Sequence, residues 1–285
     1  MAHHIVGLDH TLVGVEDLEG ARETYKKLGF TLTPRGSHIG WGTANYCIMF
    51  EKDYIELLGV ADPSLESNGL DKLLEDRGEG LLGVALSSDN PEKTRESLDE
   101  ASLNPTDLIQ LKRKLELPEG EVIPEFKLIR ISAEGLSDRN LFICHHLTPE
   151  LIRKPEWEIH KNGAQYIKSV VILVEKPADL REYYTRLFGT LNVTLTDSTM
   201  TVRVGQLNMI FVSDRDLDLL FPGIVSSGEE PELPHLFAMT LAVKNVEDTG
   251  EYLAQVDLKT QKISGGVLRV QPKDACGVLM EFVQD

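Results

Sequence analysis

One pattern recurs four times along the chain, and it limits the architecture more than any single motif does. Residues 8–15 read as an apolar-rich strand, followed by Glu16-Asp17, then Leu18, Ala21, Tyr25 and Leu28 at helical spacing, with Gly29 as a stop. Residues 81–87 repeat the order with Asp89-Asn90 as a cap, Pro91 at the first helical position and a polar helix through Ala101. It returns in 167–175 with Pro177, Leu180, Tyr184 and Leu187, and again in 236–243 with Asn245, Tyr252, Leu253 and Val256. After each helix come short apolar or alternating runs separated by turn residues, which read as strands and hairpins: 30–33, 46–50 and 54–58 in the first set, 109–117, 126–132 and 141–144 in the second. The third has 193–195, 200–204 and 208–212, and the fourth 262–263, 267–270 and 277–283. Each unit is β-α-β-β-β, and the fold class is α+β.

The cap positions Asp17, Asn90, Lys176 and Asn245 are near-evenly spaced, with the longest interval in the middle. The excess falls in a stretch with two prolines and a charged segment around Trp157. The units therefore pair into two domains, 1–147 and 164–285, joined by a linker at 148–163. A length of 285 residues suits two cores of ordinary size.

Composition narrows the partners. A net charge of −17 repels polyphosphate chains and anionic lipid heads, so neither nucleic acid nor membrane is expected as a partner. No apolar run approaches the roughly 20 residues of a membrane span, and the first residues carry neither the basic nor the apolar segment of a secretory signal. A cytoplasmic location is the expectation. Cys47, Cys144 and Cys276 are isolated and odd in number, which argues against a disulfide framework or a Cys-rich zinc site.

Four such units resemble the vicinal oxygen chelate superfamily, which includes glyoxalases, extradiol dioxygenases, epimerases and resistance binding proteins. The sharper likeness is local: Leu8-Asp9-His10, then 28–36, then the glycine-rich stretch from His38 through Trp41 to Asn45, and Tyr54-Ile55-Glu56-Leu57-Leu58. Together these resemble the glyoxalase-like domain family within that superfamily.

The resemblance implies cup-shaped sheets and a divalent metal held by residues of the first and last strands of each unit. In the first unit those positions are His10 and Glu56. In the second they are about Gly83, which cannot ligate, and Cys144, with His146 on the same strand face and His145 opposite. The implied metal ligands are His10, Glu56 and His146, with His145 in their place if a bulge shifts the register. Two histidines and a carboxylate suit Fe, Zn or Mn and leave open positions for the adjacent oxygens of a small substrate. At the matching places domain 2 reads Ser169, about Ile210, about Ala238 and Glu281, so its site is expected to be degenerate.

Around this set Glu56 and His38 are the candidates for proton chemistry, and Arg35, Trp41 and Asn45 for substrate contact. The glycine-rich stretch lacks the strand-loop-helix context of a nucleotide cradle. Two functions stay open: a metalloenzyme of isomerase, lyase or dioxygenase type, and a metal-free protein that sequesters a small molecule, as bleomycin-resistance proteins do. The resemblance also allows a homodimer.

Overall fold

The computed structural model describes residues 2–136, 140–224 and 232–285. The first unit comprises β1 (Ile5–Gly14), α1 (Leu18–Lys27), β2 (Gly36–His38), β3 (Thr43–Met49) and β4 (Tyr54–Val60), and α2 (Leu70–Arg77) leads to the second. That unit comprises β5 (Gly80–Ser88), α3 (Pro91–Glu100), β6 (Ile109–Leu117), β7 (Gly120–Val122), β8 (Glu125–Arg130) and β9 (Leu141–His146). The third runs through β10 (Ala164–Val174), α4 (Arg181–Phe188), β11 (Val193–Leu195), β12 (Thr199–Val204) and β13 (Leu207–Ser213), followed by α5 (Leu217–Leu220). The fourth is β14 (His235–Val243), α6 (Val246–Gln255), β15 (Thr260–Ile263), β16 (Val267–Val270) and β17 (Leu279–Gln284). No helix among the described residues is long and apolar enough to cross a membrane.

The caps work as short polar side chains should. Asp17, Asn90 and Asn245 each accept backbone N–H groups of the helix they open, satisfying donors that have no partner within the helix. The extended run at 30–33 forms no strand, in contrast to the sequence pattern. Pro34 has no N–H to offer a ladder and restricts the residue before it, so pairing resumes only at β2.

Each half repeats one topology. β1 runs parallel to β4 and antiparallel to β5, and β5 runs parallel to β9. The second half has the same relations among β10, β13, β14 and β17. The two sheets differ at their edges. In the first, β2 pairs with β6 as well as β3, which closes the sheet β2-β3-β4-β1-β5-β9-β8-β6 into a barrel. The second sheet, from β11 to β15, stays open.

Alternation along the strands sorts the side chains. Val13, Ile55 and Leu57 of the first half share a continuous apolar core with Ile172, Met239 and Leu241 of the second, and helix residues such as Tyr25 and Tyr184 complete it. The barrel interior receives the opposite face. One end holds Leu70 and Leu74 of α2 against Leu12, Leu58 and Leu82. The other is packed by Ile152 and Trp157. The stretch 148–163 is thus pressed against the barrel, with Arg153 donating to the Phe50 and Lys52 carbonyls and His160 hydrogen-bonded to the Thr31 N–H and the Met49 carbonyl.

Candidate active site

Tyr54, Glu56 and Leu58 of β4 and His10 and Leu12 of β1 face the barrel interior and line a cavity with a water-accessible interior of about 130 Å³. Register brings them together, because His10 lies opposite Tyr54 and Leu12 opposite Glu56. A bulge adds a further residue. On β5, Leu8 pairs with Leu86 and His10 with Ala85, so Asp9 is the extra residue of β1. Asp9 is buried beside His10, within bonding distance of two imidazoles.

Asp9 Oδ1 lies 2.6 Å from His10 Nδ1, and both Asp9 oxygens lie 3.0 Å from His146 Nε2. Burial alone would favour a protonated Asp9, yet His146 and His10 outweigh it and hold the carboxyl well below its usual range. An ionised carboxylate only accepts, so both imidazoles donate to it. His10 in its neutral form therefore turns the lone pair of Nε2 toward the cavity, 3.4 Å from Glu56 Oε2. Its ring stacks on Tyr54 at 4.5 Å between centroids and meets the edge of Phe142 at 5.7 Å, which fixes its plane.

Glu56 is equally constrained. The Asn45 amide donates to Oε1, and His38 Nε2 lies 3.9 Å from the same oxygen. Burial opposes ionisation of Glu56, but His10, His38, Arg113 and the Asn45 hydrogen bond prevail and lower its pKa. Burial lowers the pKa of His38, against the pull of Glu56, and so favours the neutral ring; its Nδ1 pairs with Thr43 Oγ1 at 2.9 Å.

Of the residues singled out in the sequence, His10, His38, Trp41 and Glu56 line the cavity, and Asn45 is bonded to Glu56. His146 reaches Asp9, one residue removed from the cavity-facing His10–Glu56 pair. His145 Nδ1 is bonded to the Ser88 carbonyl at 2.7 Å, away from Glu56. Arg35 is not part of the cavity wall; Arg113 and Arg130 are.

Asp9 and Arg113 are the functional candidates that sequence reasoning passed over. A bulge cannot be read from alternation. Arg113 did leave a signal, since it shares strand parity with Leu111 and Leu115 inside the basic run Lys112-Arg113-Lys114.

Two groups of side chains could hold a metal. Ligand atoms of Asp9, Cys144 and His146 lie within 4.8 Å of one another. In that group both Asp9 oxygens already accept from imidazoles, and burial with Asp9 and Glu56 nearby pushes the Cys144 thiol far up, so that it would have to give up its proton to an incoming ion. The other is His10 Nε2 with Glu56 Oε2. There two acceptors face each other across 3.4 Å inside a low-dielectric wall, an arrangement that calls for a proton or a cation between them. The carboxylate behind the far ring nitrogen is the usual support of a metal-bound histidine. These two residues could therefore hold either a shared proton or a divalent cation.

The matching positions of the second half take another form. Register sets Val171 opposite Ile210 and Ala238, and Ser169 opposite Thr240. Glu281 is gripped by Arg269, with Nε and Nη2 at 2.9 and 2.8 Å from Oε1. Leu217, Phe221 and Ile224 pack against Val171, Val212 and Leu279, so apolar side chains fill this cup.

Comparison with known proteins gives one family and a set of folds. The family described as a glyoxalase-like domain matches residues 8–188. No curated protein matches the sequence. Among solved structures, a hypothetical protein from Staphylococcus aureus aligns with a TM-score of 0.68 at 13% identity, covering 99% of this chain and 100% of the other. A variant of 4-hydroxymandelate synthase from Streptomyces coelicolor aligns at 0.64 and 11% identity, over 98% and 92% of the two chains. A xylose isomerase-like TIM barrel/4-hydroxyphenylpyruvate dioxygenase fusion protein aligns at 0.56 and 14% identity, over 100% of this chain and 50% of the fusion. At such identities the likeness is one of fold.

Proposed function

The chain belongs to the glyoxalase-like domain family, and from that premise we propose that it is a metal-dependent enzyme whose centre lies in the first barrel and whose substrate is a small molecule with adjacent oxygens. The observation that carries this reading is the His10–Glu56 pair, a lone pair facing a carboxylate with Asp9 fixing the imidazole from behind. In this reading His10 Nε2 and Glu56 hold a divalent ion of the Fe, Zn or Mn type, and His146 acts through Asp9, keeping it oriented. When bound, such an ion supplies Lewis acidity that polarises a substrate carbonyl. The chain's own part is positional. Leu12, Leu58 and Phe142 give the cavity an apolar wall, Asn45 keeps Glu56 from turning, and His38 is placed to take or return a proton beside Glu56. Isomerase, lyase and dioxygenase chemistry are all compatible with this arrangement.

The second reading is a metal-free binding protein, in which His10 is an imidazolium between Asp9 and Glu56 and the apolar cavity sequesters its ligand. It is favoured by the leucine content of the cavity wall. Elemental analysis of protein purified without chelators separates the two. The enzyme reading expects about one divalent ion per chain, lost in His10→Ala and Glu56→Ala; a parent protein free of stoichiometric metal leaves only the binding protein.

A further inference from the structure

Arg113 sits on β6 directly opposite His38 of β2, in the short ladder that closes the barrel. It is 2% exposed and belongs to the cavity wall. One arm, Nη1, donates to Cys47 Sγ at 3.1 Å, a weak acceptor whose thiol burial pushes above its ordinary pKa and so keeps neutral. The guanidinium lies 5.6 Å from the Phe126 ring centroid. Its Nε and Nη2 atoms are fully buried and have no hydrogen-bond partner among the described residues.

The second half of the molecule shows what this fold does with a buried arginine. Arg269, 1% exposed, places Nε and Nη2 on Glu281 and Nη1 on the Pro222 carbonyl. The edge formed by Nε and Nη2 is the one that grips a carboxylate there. The same edge of Arg113 meets no acceptor among the described residues. The carboxylate nearest in effect, Glu56, is instead bonded to Asn45 and faces His10. Leaving a buried donor unsatisfied is costly, and more so when it is charged, so folded chains rarely keep two on one side chain without use.

We propose that Arg113 is the receptor for a carboxylate, and that the cavity takes a small organic acid with an apolar body. The charge selects a monoanion, because the buried guanidinium shares the wall with the acidic Glu56, and the second arginine of the wall, Arg130, already commits Nη2 to Asn68 Oδ1. The apolar body follows from the leucines and Phe142 that make up much of the wall, Leu12, Leu58, Leu73, Leu111 and Leu128 among them. Arg113 thus takes the role that the sequence suggested for Arg35. The proposal rests on the cavity of the preceding section, and not on its metal.

The test uses the full chain after chelator treatment, so that a missing metal does not bear on it. Phenylacetate, its neutral isostere phenylacetamide and inorganic phosphate are titrated by calorimetry against the parent protein, Arg113→Met, Arg113→Lys and Arg35→Met. Phenylacetate should bind the parent at least tenfold more tightly than phenylacetamide or phosphate. Arg113→Met should erase the preference for the acid, Arg113→Lys should retain part of it, and Arg35→Met should leave it intact. Should Arg113→Met fail to fold, the acid-to-amide ratio of the parent and the lysine variant decides alone. Equal binding of acid and amide, no binding of phenylacetate at millimolar concentration, tighter binding of phosphate, or a preference that survives in a folded Arg113→Met overturns the proposal.

Discussion

His10 is hydrogen-bonded through Nδ1 to the carboxylate of its chain neighbour Asp9, at 2.6 Å. Adjacent residues of a regular strand point to opposite faces, and these two meet because the bulge in β1 at Asp9 breaks the alternation. The consequence is chemical. A fixed tautomer leaves Nε2 available in the cavity.

Asp9→Asn should therefore weaken metal binding without unfolding the chain. Loss of the carboxylate behind a ligating histidine costs roughly 10–100-fold in affinity. Competition titration of the metal-free protein with a chromophoric chelator would measure it, and an unchanged affinity would separate Asp9 from the centre.

Asn45→Ala should act on the other ligand. Without its amide donor Glu56 is a buried carboxylate short of one hydrogen bond, worth about 1.5–3 kcal/mol when the acceptor is charged. The expected result is a lower Tm for the metal-free protein and a smaller loss for the metal-loaded one. Equal losses in both forms would mean that Glu56 takes no part in holding the ion.

Arg269→Met should destabilise the chain by about 3–5 kcal/mol, because it leaves Glu281 buried and unpaired in the filled second cup. Arg269→Met combined with Glu281→Leu should recover most of that, as read by urea denaturation, with the metal content of the first barrel unaltered. A single variant as stable as the parent contradicts a desolvated pair.

Asp53 provides a pH signature. It is buried where it accepts from the Ile167 N–H at 3.2 Å, joining β10 to the first barrel. Burial raises its pKa from 3.8 to about 7, against the pull of that hydrogen bond and of Arg153. Because the folded chain holds this proton more tightly, the contribution is full below 3.8 and is lost as pH rises through about 7. Asp53→Asn keeps the acceptor and removes the titration. Its stability relative to the parent should thus grow between pH 4 and pH 8, by up to about 4 kcal/mol. A pH-independent difference would show that Asp53 ionises normally in the fold.

Much of the architecture is written locally and was legible for that reason. Asp17, Asn90 and Asn245 announce their helices by side-chain chemistry alone, and the strands that follow carry their own alternation. What escaped is non-local or irregular. The pairing of β2 with β6 joins residues far apart in sequence and decides that His38 and Arg113 are neighbours. Helix α2 and its leucines close one end of the cavity from between the first and second units, where the repeating β-α-β-β-β order has no place for a helix. His145 and His146 were separable by parity, but that parity gave only a strand face and not the acceptor each would find, Ser88 for one and Asp9 for the other.

The central claim is that His10 and Glu56 share one metal ion in the first barrel. Crystals grown from protein that has kept its purification metal, with anomalous data collected at the absorption edge of that metal, test it most directly. The account predicts one strong anomalous peak per chain within about 2.0–2.2 Å of His10 Nε2 and a Glu56 oxygen, with coordination positions left open toward the leucine-lined cavity. No peak in the barrel, or a peak held instead by Asp9, Cys144 and His146, would contradict it.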